Sequence, residues 1–220
     1  MISFLQDYFA AIDITQTPNN FHRRLRFFNL YSTLKNCIDQ NLPGYIAECG
    51  CWKGCSTVMM KLLLERCDSD KSILVFDSFE GLSDFDDIDL RPQTQVITPA
   101  QSKERHASSL KHLQDVLSVN NFLGVELFKG WIPNVFSSSD PSRAFCLVHI
   151  DVDLYQPTLD SFNYFFPRLV KGGAIVCDDY NSTAFPGCAK AVQEFINTHP
   201  SRGDFHFIEF SAGGCILIRN

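Results

Sequence analysis

Short apolar runs alternate with longer stretches of helical spacing along this chain, and the alternation defines its elements. Residues 45–47, 72–77, 125–129, 145–150 and 174–177 read as buried strands, each bounded by polar or Gly/Pro turn residues. Helical spacing begins at Phe21, where Phe21, Leu25, Phe28, Tyr31, Leu34 and Ile38 recur on one face. The opposite face carries His22, Arg23, Arg26 and Lys35 and reads as a solvated surface. Further helices are expected through Met59, Met60, Leu63 and Leu64, over 102–119 with Leu110, Leu113 and Leu117, and through Ala191, Val192, Phe195 and Ile196. Another carries Leu159, Phe162, Phe165 and Phe166 and is closed by Lys171-Gly172-Gly173. Residues 1–20 are mixed, with a break at Thr17-Pro18-Asn19-Asn20. Two final strands, 205–210 and 215–218, flank Ser211-Ala212-Gly213-Gly214 and read as a hairpin. Strands that alternate with helices and end in a hairpin predict a mostly parallel α/β sheet with one antiparallel strand.

The rest of the chain is organised around residues 45–57, Tyr-Ile-Ala-Glu-Cys-Gly-Cys-Trp-Lys-Gly-Cys-Ser-Thr. A short strand ends at Glu48, and Gly50 and Gly54 punctuate the turn into a helix that Ser56 or Thr57 can cap. Such a turn is the usual nucleotide pocket of an open α/β sheet. A dinucleotide pyrophosphate needs bare backbone N–H groups, and the carboxylate of Glu48 would repel it. That carboxylate suits the ammonium of an amino-acid cofactor, which favours S-adenosyl-L-methionine over a nicotinamide dinucleotide. The second strand ends at Asp77, placed to accept hydrogen bonds from a ribose diol. Beyond it, Ser78-Phe79 offers an aromatic ring for an adenine or for the core, and both uses stay open. Gly130-Trp131 follows the third strand, with Trp131 either lining a pocket or covering the sheet edge.

Glu48, Asp77, Asp151, Asp178 and Asp179 all fall at carboxyl ends of strands, where ligands bind in such sheets. Five acids on one rim is not a packing solution. Residues 83–106 contain an irregular stretch rich in Asp and Pro and read as a lid, while residues 1–40 read as an N-terminal helical cover.

Composition narrows the classes. The 220 residues suffice for one α/β domain, expected to span 1–220, and 45% hydrophobic against 20% charged residues is globular. A net charge of −6 argues against nucleic acid and anionic membranes as partners, and no apolar run approaches a membrane span. The first residues lack a signal-peptide pattern, so the cytoplasm is the default compartment. Nine cysteines read as reduced thiols, and Cys49, Cys51 and Cys55 have no second ligand pair to complete a zinc site.

With these motifs in place, the chain resembles the macrocin O-methyltransferase family over about residues 24–195. The resemblance rests on 47–54, 76–82, Gly130-Trp131, His149-Ile-Asp-Val-Asp-Leu-Tyr155, 172–180 and Pro186-Gly187, in that order. It implies a Rossmann-like class I methyltransferase fold, a seven-stranded mostly parallel sheet with the last strand antiparallel and helices on both faces. It also implies a cofactor turn at Glu48, Gly50 and Gly54 with Ser56, and a ribose acid at Asp77. Ser78, Phe79, Gly130, Trp131 and Asp151 complete the implied cofactor contacts. A divalent cation, usually magnesium, is implied at Asp151, Asp178 and Asp179, with Asp151 as general base. Asp153, alternating with Asp151, is expected to support the site from behind. Compared with catechol O-methyltransferase, Leu154 stands where a catalytic lysine follows the first metal ligand. The expected reaction is methyl transfer to a hydroxyl of a small molecule, a sugar or glycosylated natural product. Transfer to an amine or a non-sugar hydroxyl, or a non-catalytic binding module, are the alternatives; homo-oligomerisation stays open.

Overall fold

The computed structural model describes residues 2–90, 98–182 and 184–220. Two helices, α1 (Ile2–Thr15) and α2 (Phe21–Asp39), precede the sheet. They are followed by β1 (Tyr45–Cys49), α3 (Cys55–Arg66), β2 (Ile73–Asp77), α4 (Pro99–His106), α5 (Leu110–Val119) and β3 (Val125–Lys129). The second half adds β4 (Phe145–Ile150), α6 (Tyr155–Phe165), β5 (Leu169–Cys177), α7 (Pro186–Thr198), β6 (Phe205–Glu209) and β7 (Cys215–Arg219). One seven-stranded sheet results, ordered β3-β2-β1-β4-β5-β7-β6. The first five strands pair in parallel, and β7 runs antiparallel to both β5 and β6. Strand order reverses between β1 and β4, which is where open α/β sheets form their ligand crevice.

Period-two alternation divides each strand between two cores. Ile46, Ile73 and Val75 pack beneath α1, α2, α3 and α5, with Leu30, Leu34, Met59 and Leu63. Ala47, Leu74, Phe76 and Val148 face the other way, against Phe162 and Phe165 of α6 and Val192 and Phe195 of α7. Twenty phenylalanines thus serve mainly to fill volume, and Phe76, Phe136, Phe145 and Phe165 form one edge-to-face cluster on the second face.

Four expectations change. Residues 2–15, read as mixed sequence, are a helix whose Phe4, Tyr8, Ala11, Ile12 and Thr15 are buried at helical spacing. The inner face of α2 is Phe27, Leu30, Tyr31, Leu34 and Cys37, while Phe21 is 58% exposed. The helix is covered on more than one side, so the most regular apolar stripe was not the one facing the sheet. The single helix expected over 102–119 is two, because Ser109 caps α5 by accepting from the His112 N–H at 3.3 Å. Gly172 and Gly173, expected to end a helix, lie inside β5 at a register shift opposite Phe145 and Leu147. A Cβ on Gly173 would stand 3.1 Å from the carbonyl oxygens of Phe145 and Cys146, so the strands close there only without a side chain.

The expected lid, 83–106, falls partly outside the described residues, since it includes 91–97. Its described parts are a short 3-10 turn at Asp87–Asp89 and α4. Asp89 is fastened to the start of α6, where its Oδ1 accepts from the Tyr155 N–H at 2.8 Å. No described helix is long and apolar enough to cross a membrane.

Candidate active site

The C-terminal ends of β1, β2, β4 and β5 open into a cavity of about 190 Å3 beneath α2. Of the residues expected there, Gly50, Ser56, Asp77, Ser78, Gly130, Trp131, Asp151 and Asp179 line it. The turn after β1 is held from inside. Asp77 accepts at Oδ2 from the N–H groups of Cys51 (2.7 Å) and Trp52 (3.1 Å), and at Oδ1 from the Phe79 N–H (2.6 Å). Gly50 adopts φ +79°, and a Cβ on it would lie 2.0 Å from the Asp151 carbonyl oxygen. Close approach at this glycine is therefore made by the end of β4, which seats Asp151 against the turn. Gly54 lies outside the cavity and packs against Leu113, and it is Gly54, with no side-chain bond, that caps α3. Ser56 and Thr57, expected as caps, stand within the helix.

Glu48 and Phe79, expected at the ligand, lie inside the protein. Glu48 points from β1 toward α3, fully buried, because alternation places it on the same face as Ile46. It accepts from the Thr57 hydroxyl and pairs with His149 Nδ1 at 3.1 Å. Burial disfavours the charged imidazole, but the hydrogen bond and charge of Glu48 carry the His149 pKa above its ordinary value. Phe79 takes a left-handed φ of +57°, which turns its ring into the core under α5.

The other half of the rim is acidic. Ile150 pairs with Cys177 in the β4–β5 register, so the residues following each strand emerge side by side. One carboxylate oxygen from each of Asp151, Asp178 and Asp179 lies within 4.8 Å of the others. Asp178 Oδ1 and Asp179 Oδ2 are buried with no hydrogen-bond partner among the described residues. Burial, then the neighbouring carboxylates, raises the pKa of both, with Asp179 pushed well above the usual range. Burial and the charges of Asp151 and Asp178 push Asp153 up to about 7 against the lowering effect of His106. Asp153, expected behind the site, forms part of the cavity wall at φ +60°. Three converging carboxylates, two of them buried with an unpartnered oxygen, offer the hard donors that suit a divalent cation such as magnesium. Cys49, Cys51 and Cys55 are buried free thiols.

Arg23, Arg26, Trp52 and His106 also line the cavity and were not singled out by the sequence. Arg26 leaves the solvated face expected for it and donates from Nε to Asp178 Oδ2 at 2.6 Å. The three acids raise its pKa despite a burial cost. Arg23 lies over the Trp52 ring at 5.2 Å. The available signal was the Arg23/Arg26 spacing, which sets both on one helix face. Trp131 lies in the cavity wall, with Lys103 over its ring at 5.2 Å.

The family model for macrocin-O-methyltransferase matches residues 11–213. The chain belongs to that family. It is accordingly an S-adenosylmethionine-dependent O-methyltransferase, with the class I fold expected from its motifs. Demethyldecarbamoylnovobiocin O-methyltransferase of Streptomyces niveus is 26% identical over 190 residues, covering 81% of this chain and 69% of the relative. Mycinamicin III 3''-O-methyltransferase of Micromonospora griseorubida is 28% identical over 179 residues, covering 79% and 68%. Among solved structures, the O-methyltransferase NovP superposes with a TM-score of 0.71 at 24% identity over 92% of this chain and 84% of that one. A calicheamicin methyltransferase gives a TM-score of 0.72 at 17% identity over 97% and 91%. This methyltransferase thus spans about two thirds of the length of the two relatives.

Proposed function

We propose that this methyltransferase methylates a hydroxyl of a small molecule, a sugar or glycosylated natural product, and that it requires a divalent cation, magnesium. The observation that carries the reading is the trio Asp151, Asp178 and Asp179, with ligand oxygens within 4.8 Å and two buried oxygens unsatisfied. Like charges at this spacing repel unless a cation joins them or protons neutralise them. The acceptor class is supported by the relatives, two of which are named for methylation of mycinamicin III at the 3'' position and of a rhamnosyl tetracenomycin at the 4' position.

In this reading Gly50, Ser56, Asp77, Ser78, Gly130 and Trp131 form the cofactor half of the cavity. Asp77 acts there in two ways: it holds the N–H groups of Cys51 and Trp52 in place, and it presents its carboxylate edge to a ribose. Glu48 supports the turn from beneath, through Thr57 and His149. S-adenosylmethionine supplies a methyl group already activated by its sulfonium charge. Asp151, Asp178 and Asp179 would hold magnesium, which would supply Lewis acidity to lower the pKa of an acceptor hydroxyl. Asp151 lines the cavity on the carboxyl end of β4 and takes the hydroxyl proton on a carboxylate oxygen. Leu154, buried at the start of α6, offers no base, which leaves this role to the carboxylates.

The test is exhaustive chelation followed by magnesium addition. Turnover of a sugar-bearing acceptor should vanish and return, while calorimetry shows the cofactor bound throughout. Full turnover after chelation would mean that the trio is structural.

A further inference from the structure

We propose that Arg26 is a positioning residue for the cation site: it holds Asp178 by one carboxylate oxygen and leaves the other free for the cation. The inference rests on the metal reading above. Arg26 belongs to α2 and lies 152 residues before Asp178, and its Nε donates to Oδ2 at 2.6 Å. The other oxygen, Oδ1, is buried and has no partner among the described residues. The Asp178 side chain is 1% exposed, so water does not compete for either oxygen from bulk.

The geometry of the contact separates positioning from simple neutralisation. Nε is the inner nitrogen of the guanidinium, and its single N–H has a direction fixed by the plane of the group. The stem that carries it is also confined. A Cβ placed on Gly213, in the turn between β6 and β7, would stand 3.4 Å from Arg26 Cδ, so the hairpin turn packs against the arginine. Next along the turn, Gly214 lies against the carbonyl oxygens of Cys177 and Asp178. The hairpin therefore braces both partners. A carboxylate free to rotate would spend its time in several orientations; one held through Oδ2 presents Oδ1 in a single one. The N-terminal helix α2 thereby forms part of the site, and is more than a cover over it.

The experiment measures Mn2+ binding, by electron paramagnetic resonance, in the wild-type protein and in Arg26→Lys, with thermal melts confirming the fold. Mn2+ serves as the probe because it shares the oxygen preference and octahedral geometry of magnesium. Lysine keeps the charge and loses the directed inner N–H, so a change in affinity reads geometry. The expected result is a dissociation constant for Mn2+ weaker by about ten- to a hundredfold. Unchanged affinity in a folded Arg26→Lys protein overturns the proposal. Should that variant fail to fold, the Arg26 Nε–H resonance of the wild-type protein decides. It should stay protected from solvent exchange before and after saturation with magnesium. Loss of protection on adding magnesium would show the guanidinium leaving Asp178, a stand-in cation and not a positioning group. A wild-type protein that binds no Mn2+ would instead remove the metal reading, and this inference with it.

Discussion

The strand ends on the two sides of the cavity carry the same kind of residue and use it in opposite ways. At the ends of β1 and β2, Glu48 and Asp77 have their oxygens occupied: Thr57 and His149 engage the first, and three backbone N–H groups the second. At the ends of β4 and β5, Asp178 and Asp179 each keep a buried oxygen with no partner among the described residues. A buried acid with its lone pairs filled stiffens the structure, whereas one left unfilled costs stability and so marks a place where something is bound. Acids at strand ends therefore do not form one class. Their partners divide them.

Substitutions can break this division, and the largest effect belongs to the open half. Asp151→Asn should lower kcat by about 10^2 to 10^4, the range for loss of a general base, with the melting temperature kept or raised. A variant with wild-type kcat would move the base elsewhere. In the closed half the order is reversed, with stability falling first. Glu48→Gln removes the charged partner of buried His149 and should cost about 1–3 kcal/mol of folding stability, read from denaturant melts. A melt unchanged by this substitution would mean that Glu48 is not a structural acid.

Asp77→Ala tests the residue that joins both roles. It removes the acceptor for Cys51 and Trp52 as well as the proposed ribose contact, and should weaken S-adenosylmethionine binding about ten- to a hundredfold in calorimetry. Equal affinity in the folded variant would confine Asp77 to holding the turn elsewhere than at the cofactor.

The smallest effect is a pH dependence of the metal-free protein. Asp153 titrates near 7 in the folded state, far above its unfolded value of about 4. The native state then holds the proton more tightly than the unfolded one, so this acid lowers stability as pH rises from about 4 to 7. Asp178 and Asp179, both raised, act in the same direction. Melting temperature should fall by a few degrees across that range, and magnesium should flatten the curve. A stability that rises with pH over this interval, after chelation, would contradict an open acidic half.

Much of this was legible in local pattern. The parallel strands, the final hairpin, the glycine turn after β1 and the acids at strand ends follow from period-two alternation and strand-turn-helix punctuation, which involve residues within a few positions of one another. The family motifs lie in those same local blocks, and so the class I fold and the trio Asp151, Asp178 and Asp179 were within reach. Helix α1 is legible too, in the helical spacing of Phe4, Tyr8, Ala11 and Ile12.

Tertiary structure decided which of the acids are satisfied. That depends on contacts between distant segments: His149 on Glu48 across the β1–β4 pairing, and Arg26 on Asp178 from a helix 152 residues away. It also decided that Phe79 turns into the core, and that the polar face of α2 supplies a site residue. A sequence period reports which side of an element is apolar. It does not report what stands opposite, and for a buried charge the opposite group sets both its energy and its use.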